Sequence, residues 1–397
     1  MKVAIVCDWL TNVGGAEKVL LEIHRLYPKA PIYTSKYSQR GIDWFKTADV
    51  RTGWLQIFPS FLRRFLGVFR QRWFSHLDLS EYDLIISVTG AEAKAVRATK
   101  PGAKHICYCH APTQYYWQMY DEYVKNPGFG FLNPLVRVFF KLLVGPLKKK
   151  DYEAAQRVDE FVTISEYTRE LISKYYHRDA VVIHPPVEVE VFNGCSNGTS
   201  RDRKSSRPSS RGSASYTLGS SLREFPPSTI ETSYYIATSR QVNWKRLDLA
   251  VKACMRLHRE LVVIGEGPEH SRLVKIAENS EFVKFLPLMQ REELAEFLAG
   301  ARGYIFPSLE PFGIAPVEAL ASGCPVIAYG AGGALDYIHD KKNGILFEKQ
   351  TVGSLADAIE KFEKMKFDRE TVRNSAKGFS VERFDRELKE FIHEKTV

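Results

Sequence analysis

Two carboxylates, Glu310 and Glu318, stand eight residues apart in Ile305-Phe-Pro-Ser-Leu-Glu310-Pro-Phe-Gly313-Ile-Ala-Pro-Val-Glu318-Ala-Leu-Ala-Ser-Gly323. A carboxylate accepts hydrogen bonds from hydroxyls, so a pair at this spacing suits gripping a nucleotide sugar. The residues around them predict how they are held. Tyr304 to Phe306 reads as a buried strand, Gly313 as a tight turn with exposed N–H groups, and Val317 to Ala321 as a helix closed by Gly323. Glu310 then sits in the loop and Glu318 early in the helix, near the two ends of a ligand whose phosphate lies over the helix N-terminus. Standing alone, the pair favours a plainer reading, a loop charge and an exposed helical residue.

Upstream, Tyr234-Tyr-Ile-Ala-Thr-Ser239-Arg240-Gln-Val-Asn-Trp-Lys245 runs from an apolar strand into a loop carrying Arg240 and Lys245. In an open parallel sheet the carboxyl ends of the strands are where ligands bind. A unit charge about 4 Å from a phosphate contributes roughly 4 kcal/mol at an effective dielectric near 20, enough to stabilise a departing diphosphate. Gly265-Glu-Gly267 ends a second strand, and Gly330-Ala-Gly332-Gly333 follows a third. Such turns let backbone approach a ligand, although many exist only for geometry.

Arg240 and Lys245, Gly265-Glu-Gly267, Glu310-x7-Glu318 and Gly332-Gly333 occur in this order in retaining glycosyltransferases of family 4, which the chain resembles. The likeness extends to Val3-Ala-Ile-Val-Cys-Asp8 with Gly14-Gly15-Ala-Glu17, to Ile106-Cys-Tyr-Cys-His110-Ala-Pro, to Asp151 with Ala154 through Ser165, and to Val182-Ile-His-Pro-Pro-Val187. It spans nearly everything outside residues 193–232. The resemblance implies a GT-B fold, two Rossmann-like doubly wound α/β domains facing a cleft, and assigns roles. Glu310 and the Gly313-Ile314 backbone would hold the donor sugar's hydroxyls, and Glu318 the ribose. Gly14 and Gly15 would approach the diphosphate, with Arg240 and Lys245 stabilising it as it leaves. Ser239, Gly265, Gly267 and Phe312 would line the donor surface, and His110 would sit near the transferred sugar. Without that context His110 reads as a satisfied histidine at a strand end. The chain has no Asp-x-Asp pair, which agrees with an enzyme needing no metal and no cofactor. The family transfers with retention of anomeric configuration. The runs Cys107 to Pro112, Val182 to Val187 and Phe312 to Asp336 most resemble mannosyltransferases of polysaccharide and O-antigen assembly, which use GDP-mannose. Gln114 stands where relatives often carry arginine, and Gln118 where an acid is frequent, so acceptor contacts depart further than donor contacts.

A chain of 397 residues, 44% hydrophobic, is large enough for two cores. Strand-like runs alternate with helical ones in both halves: Val3 to Cys7, Leu84 to Val88, His105 to Tyr108, Phe161 to Ile164 and Val181 to Ile183 come first. Tyr234 to Ala237, Leu261 to Ile264, Val283 to Phe285, Gly303 to Phe306 and Val326 to Ala328 follow, which predicts parallel doubly wound sheets. The expected division is 1–192 as an acceptor-binding domain, 193–232 as a flexible Ser/Arg-rich insertion, 233–378 as a nucleotide-sugar-binding domain, and 379–397 as an amphipathic helix returning to the first domain. Asn197-Gly-Thr199 matches a glycosylation sequon, a pattern short enough to be coincidence. The six cysteines show no metal-ligand spacing and read as reduced core residues. Met1-Lys-Val-Ala-Ile-Val-Cys-Asp8 is a short strand rather than a signal peptide, which predicts a cytoplasmic location.

A net charge of +9 fits an anionic partner. Residues 54–74 and 129–150 interleave bulky apolar residues with arginine and lysine, as interfacial amphipathic helices do, and neither reaches the ~20 apolar residues of a span. These stretches predict peripheral membrane contact, on the inner face of the cell membrane, and a lipid-linked or glycan acceptor. Ordinary core-facing helices are the alternative. Nucleic-acid binding is not expected, since no binding module accompanies the charge. A UDP-dependent glucosyltransferase, a sugar-nucleotide epimerase and a non-catalytic nucleotide-sugar-binding scaffold remain as other readings. A dinucleotide oxidoreductase fares badly, because Gly14-Gly15 lacks the full Gly-x-Gly-x-x-Gly spacing.

Overall fold

The computed structural model describes residues 1–59, 66–125, 133–193 and 234–396. Cys195, the Asn197-Gly-Thr199 sequon, almost all of the 193–232 segment and residues 60–65 and 129–132 of the basic apolar stretches lie outside the described residues. The chain forms two compact units. The first comprises Met1–Pro186, Glu310–Phe312 and Phe379–Val397, and the second comprises Val187–Leu309 and Gly313–Gly378.

The first unit holds strands β1 (Val3–Cys7), β2 (Ile32–Thr34), β3 (Val50–Thr52), β4 (Leu84–Thr89), β5 (Lys104–Cys109), β6 (Glu160–Thr163) and β7 (Val181–Val182). They pair in the order β3-β2-β1-β4-β5-β6-β7, every pair parallel. Its helices are α1 (Gly15–Leu26), α2 (Gly67–Ser75), α3 (Tyr120–Lys125), α4 (Asn133–Gln156) and α5 (Glu166–Tyr176). Strands buried on both faces read as unbroken apolar runs. Ala4-Ile-Val6 and Leu84-Ile-Ile86 are such runs, each residue almost wholly buried.

In the second unit α6 (Val189–Asn193) precedes β8 (Tyr235–Thr238), α7 (Leu247–Leu257), β9 (Leu261–Ile264), α8 (His270–Ile276), β10 (Val283–Leu286) and α9 (Arg291–Gly300). Then come β11 (Gly303–Phe306), α10 (Ile314–Ala321), β12 (Val326–Tyr329), β13 (Gly344–Phe347), α11 (Val352–Glu363) and α12 (Arg369–Ser375). The sheet order is β10-β9-β8-β11-β12-β13, again parallel throughout. Leu249, Val251 and Cys254 of α7 and Leu355, Ile359 and Phe362 of α11 pack with Leu261, Val263 and Ile305 into one core.

Helix α13 (Val381–Thr396) belongs to the first unit, as the returning amphipathic pattern predicts. It buries Phe384, Leu388, Phe391 and Ile392 and packs against α1. Phe384 meets the Tyr108 ring edge-on at 5.9 Å, and the Arg383 guanidinium donates to the His184 carbonyl at 2.8 Å.

The structure adds β2, β3 and β13, which the sequence reading did not single out. It also corrects the idea of one interfacial helix over 54–74. Trp54–Ile57 is a short 3-10 turn ended by extended Phe58, α2 begins only at Gly67, and Arg70 points inward. All described cysteines are buried free thiols.

If α13 is integral to the first core, Phe384→Ala costs about 3–5 kcal/mol, the range for removing a buried aromatic side chain. Urea unfolding followed by circular dichroism checks this, and a loss below about 1 kcal/mol would show the helix to be only loosely held.

Candidate functional site

In the second unit the strand order reverses between β8 and β11, whose chain successors lie on opposite sides of the sheet. That is the switch point where an open parallel sheet leaves a crevice for ligands. The loop leaving β8 carries Ser239, Arg240 and Lys245, and the loop leaving β11 carries Glu310, Phe312 and Gly313 before Ile314 opens α10. The register Tyr304↔Ile236 sets the ends of the two strands side by side.

The β8 end is held by a side chain absent from the sequence-derived candidates. The Tyr304 hydroxyl donates to the Thr238 carbonyl at 2.9 Å, accepts from the Thr238 N–H at 3.3 Å, and lies 3.1 Å from Thr238 Oγ1. Lys245 ends a 3-10 turn, Asn243–Lys245, and is half-buried. Arg240 is exposed and makes no ion pair among the described residues.

Gly265 and Gly267 have φ of 126° and 158°. A Cβ on Gly265 would lie 2.2 Å from the Ser239 carbonyl oxygen, and one on Gly267 would lie 2.3 Å from that of Gln241. Both glycines therefore let the β9 loop press backbone to backbone against the cation-bearing loop. Gln241, fully buried, completes the join: its amide donates to the Gly265 carbonyl at 2.6 Å, and its oxygen lies 2.8 Å from His270 Nδ1. Nothing in the spacing marked Gln241, a polar residue inside a loop.

Gly313, with φ of 92°, precedes α10, and no side chain caps the helix. Its Cβ position is filled by Phe306 and by the Tyr337 hydroxyl at 3.0 Å, so the turn needs glycine. Ile314 and Ala315 stay partly exposed, leaving N–H groups of the first turn open. Pro316 has no N–H to offer. Glu318 is 8% exposed, which rules out a solvated helix position. Glu310 and Phe312 group with the first unit, where the Phe312 ring stacks on His184 at 5.6 Å and the Ser165 hydroxyl donates to the Pro311 carbonyl at 2.5 Å.

In the first unit the order reverses between β1 and β4. Asp8, at the end of β1, accepts from Thr89 Oγ1 at 2.8 Å and from the N–H groups of Gly90, Ala91 and Ala93 at 2.8–3.0 Å. Burial raises its pKa, while these donors favour the ionised form. The carboxylate ties the loops after β1 and β4 together. Gly14 is extended and precedes α1 as an N-cap without a side-chain acceptor, and Gly15 opens the helix. His110 follows β5: its backbone N–H donates to the Thr89 carbonyl at 2.8 Å and its ring meets Tyr108 edge-on at 5.6 Å. Its Nε2 is buried without a hydrogen-bond partner among the described residues. Burial pulls the pKa of His110 down to about 4, so the imidazole is neutral near pH 7.

Among the described residues no cluster of His, Cys, Asp and Glu has the makings of a metal site, and no helix is long and apolar enough to cross a membrane.

Comparison with known proteins gives two family models, described as Glycosyltransferase Family 4, matching residues 13–191, and Glycosyl transferases group 1, matching 223–379. The structure resembles HepE of Anabaena, solved in complex with UDP, with a TM-score of 0.68 and 16% identity over 99% of this chain and 100% of that one. It also resembles the lipopolysaccharide outer core galactosyltransferase WaaB, with a TM-score of 0.64 and 15% identity over the whole of both chains. A short segment is 48% identical over 56 residues to human alpha-1,3/1,6-mannosyltransferase ALG2, covering 14% of this chain and 13% of that protein.

Two predictions follow from the geometry. Gly265→Ala destabilises the second unit by about 1–3 kcal/mol through strain and overpacking, as thermal melting will read. The second concerns acid. His110 has a depressed folded pKa, and so does His105, also about 4 through burial. The unfolded chain therefore takes up protons that the folded one refuses, and stability present above about pH 6.5 is lost as pH falls toward 4. Urea midpoints at about pH 7.5 and 5 should differ less in a His105→Gln/His110→Gln variant than in the wild type.

Proposed function

From the premise that the chain belongs to the two-unit glycosyltransferases of family 4 and group 1, we propose that it transfers mannose from GDP-mannose to a lipid-linked saccharide or glycan acceptor. The observation that carries the reading is the paired loops at the β8/β11 switch point, one bearing Arg240 and Lys245 and the other leading into the uncapped start of α10. Cations and open N–H groups on one sheet edge are what a leaving nucleoside diphosphate requires. Glu310 and the Gly313-Ile314 backbone take the donor sugar's hydroxyls, and Glu318 takes the ribose. The acceptor hydroxyl attacks the anomeric carbon from the side of the departing diphosphate, and a phosphate oxygen receives its proton, so configuration is retained. Neutral His110 accepts or donates one hydrogen bond at the transferred sugar through Nε2.

The mannosyl reading is supported by the short stretch shared with the human mannosyltransferase. A UDP-glucose donor is the second reading, favoured by the likeness to HepE, which was also solved with UDP and glucose. For the acceptor, α4 presents Val138, Leu142 and Leu143, each at least 47% exposed, together with exposed Arg137, Lys141, Lys149 and Lys150. That mixture suits peripheral contact with an anionic lipid surface, where lipid-linked glycans reside.

The test incubates the protein with GDP-, UDP- and ADP-sugars and a lipid extract, following nucleotide release and product mass. GDP release with a hexose added to a lipid-linked product supports the reading, and UDP release replaces it with the second. Lys245→Ala should lower kcat by about 10²–10³-fold, the cost of losing one group that stabilises developing charge, with Glu310→Ala also abolishing transfer. Activity within twofold of the wild type in either variant would remove its assigned role.

A further inference from the structure

Beneath the turn that follows His110, the first unit buries two ion pairs. Lys94 and Asp151, each 1% exposed, pair at 2.7 Å. Asp151 also accepts from the Thr113 hydroxyl at 2.8 Å, from Trp117 Nε1 at 2.8 Å and from the Tyr176 hydroxyl at 2.7 Å. The Lys94 ammonium donates to Thr113 Oγ1 at 2.8 Å and to the Ala91 carbonyl at 2.5 Å. The Tyr176 hydroxyl oxygen in turn accepts from the Thr113 N–H at 3.2 Å. On the other side, Glu92 accepts from Arg70 Nε at 2.9 Å and Nη2 at 3.1 Å, from the Tyr116 hydroxyl at 3.3 Å and from the Tyr115 hydroxyl. Thr113, Tyr115, Tyr116 and Trp117 are thus each fixed by a buried charge.

A buried ion pair is a poor way to gain stability, since apolar side chains of similar volume do as well or better. Two of them under a single turn call for another reason. The turn begins at His110, whose Nε2 is buried and unpartnered, and a group left in that state needs its ring held in one place to meet a ligand atom. Resting on the function proposed above, we propose that Asp151 and Lys94 are positioning residues for sugar transfer, holding the His110–Trp117 turn in the geometry that receives the acceptor. Asp151 lies in α4, so the helix with the basic apolar exposed face and the turn are joined through one carboxylate.

The experiment compares the wild type with Lys94→Met/Asp151→Asn, which removes both charges together and leaves none buried alone. The double variant should melt within a few degrees of the wild type and bind the nucleoside diphosphate with unchanged affinity. Its kcat/KM for acceptor should fall about 10²-fold, the effect of a displacement near 1 Å, while KM for the donor holds. A second readout needs no turnover. By NMR, wild-type His110 stays neutral at about pH 5.5, whereas a turn no longer pinned lets water reach the ring and moves its midpoint toward the ordinary value of about 6.5. Unchanged transfer with an unmoved His110 titration overturns the proposal. So does a parallel collapse of melting temperature, nucleotide binding and transfer, which would mark the pair as structural only. If the wild type transfers no sugar from any donor, the function reading fails, and the His110 titration alone then decides whether the pair positions the turn.

Discussion

The pairing of β8 with β11 governs the rest of this structure. The two strands lie far apart in the chain, yet parallel registry brings their carboxyl ends together, so a loop of cations and a loop of carboxylate and glycine leave the sheet side by side. No short segment could hold both, because each loop must return along a helix before the next strand begins. The Tyr304 hydroxyl on Thr238 and the Gln241 amide on Gly265 fix the ends of these loops with uncharged hydrogen bonds, leaving the charge of Arg240 exposed. Rigid support under a charged loop is what lets a fixed charge act on a developing one without reorganising first.

The first unit solves its positioning problem differently. Its loops after β1, β4 and β5 are tied by buried carboxylates: Asp8 gathers three backbone N–H groups, Glu92 gathers Arg70 and two tyrosines, and Asp151 gathers Lys94, Thr113, Trp117 and Tyr176. Burial by itself would lower the pKa of the Lys94 ammonium, but the adjacent Asp151 carboxylate, together with Cys109 and Cys107, raises it overall. Lys94 therefore keeps its positive charge near neutrality although it is buried. Charge here sets shape, whereas in the second unit uncharged contacts set shape and charge is presented.

Much of the fold was readable because buried parallel strands are apolar on both faces. Leu261–Ile264 and Gly303–Phe306 have the same bounds in the sequence reading and in the structure. Strands β2 and β3 escaped because three-residue segments carry no period, and Val50-Arg-Thr52 is mostly exposed. The stretch 54–74 is not the single helix its interleaved arginine and aromatic residues suggest, because a 3-10 turn and extended Phe58 precede the helix that starts at Gly67. Arg70 instead pairs with Glu92, a partner 22 residues away that no local pattern reveals. The glycines at 265, 267 and 313 were legible as turns, but their partners, Ser239, Gln241 and Tyr337, are known only once the loops are folded together. Tyr304 and Gln241 carried no signal, since a strand tyrosine and a loop glutamine are ordinary by spacing.

The central claim is that Arg240 and Lys245 neutralise a diphosphate at the β8/β11 switch point. Calorimetric titration with GDP against GMP, and UDP against UMP, isolates it, because the members of each pair differ only in the second phosphate. The account predicts that for the base that binds, the diphosphate is held at least about tenfold more tightly than the monophosphate, and that Arg240→Ala/Lys245→Ala removes this preference while leaving monophosphate affinity intact. Equal affinity for the two nucleotides in the wild type, or a preference that survives the double substitution, would contradict it.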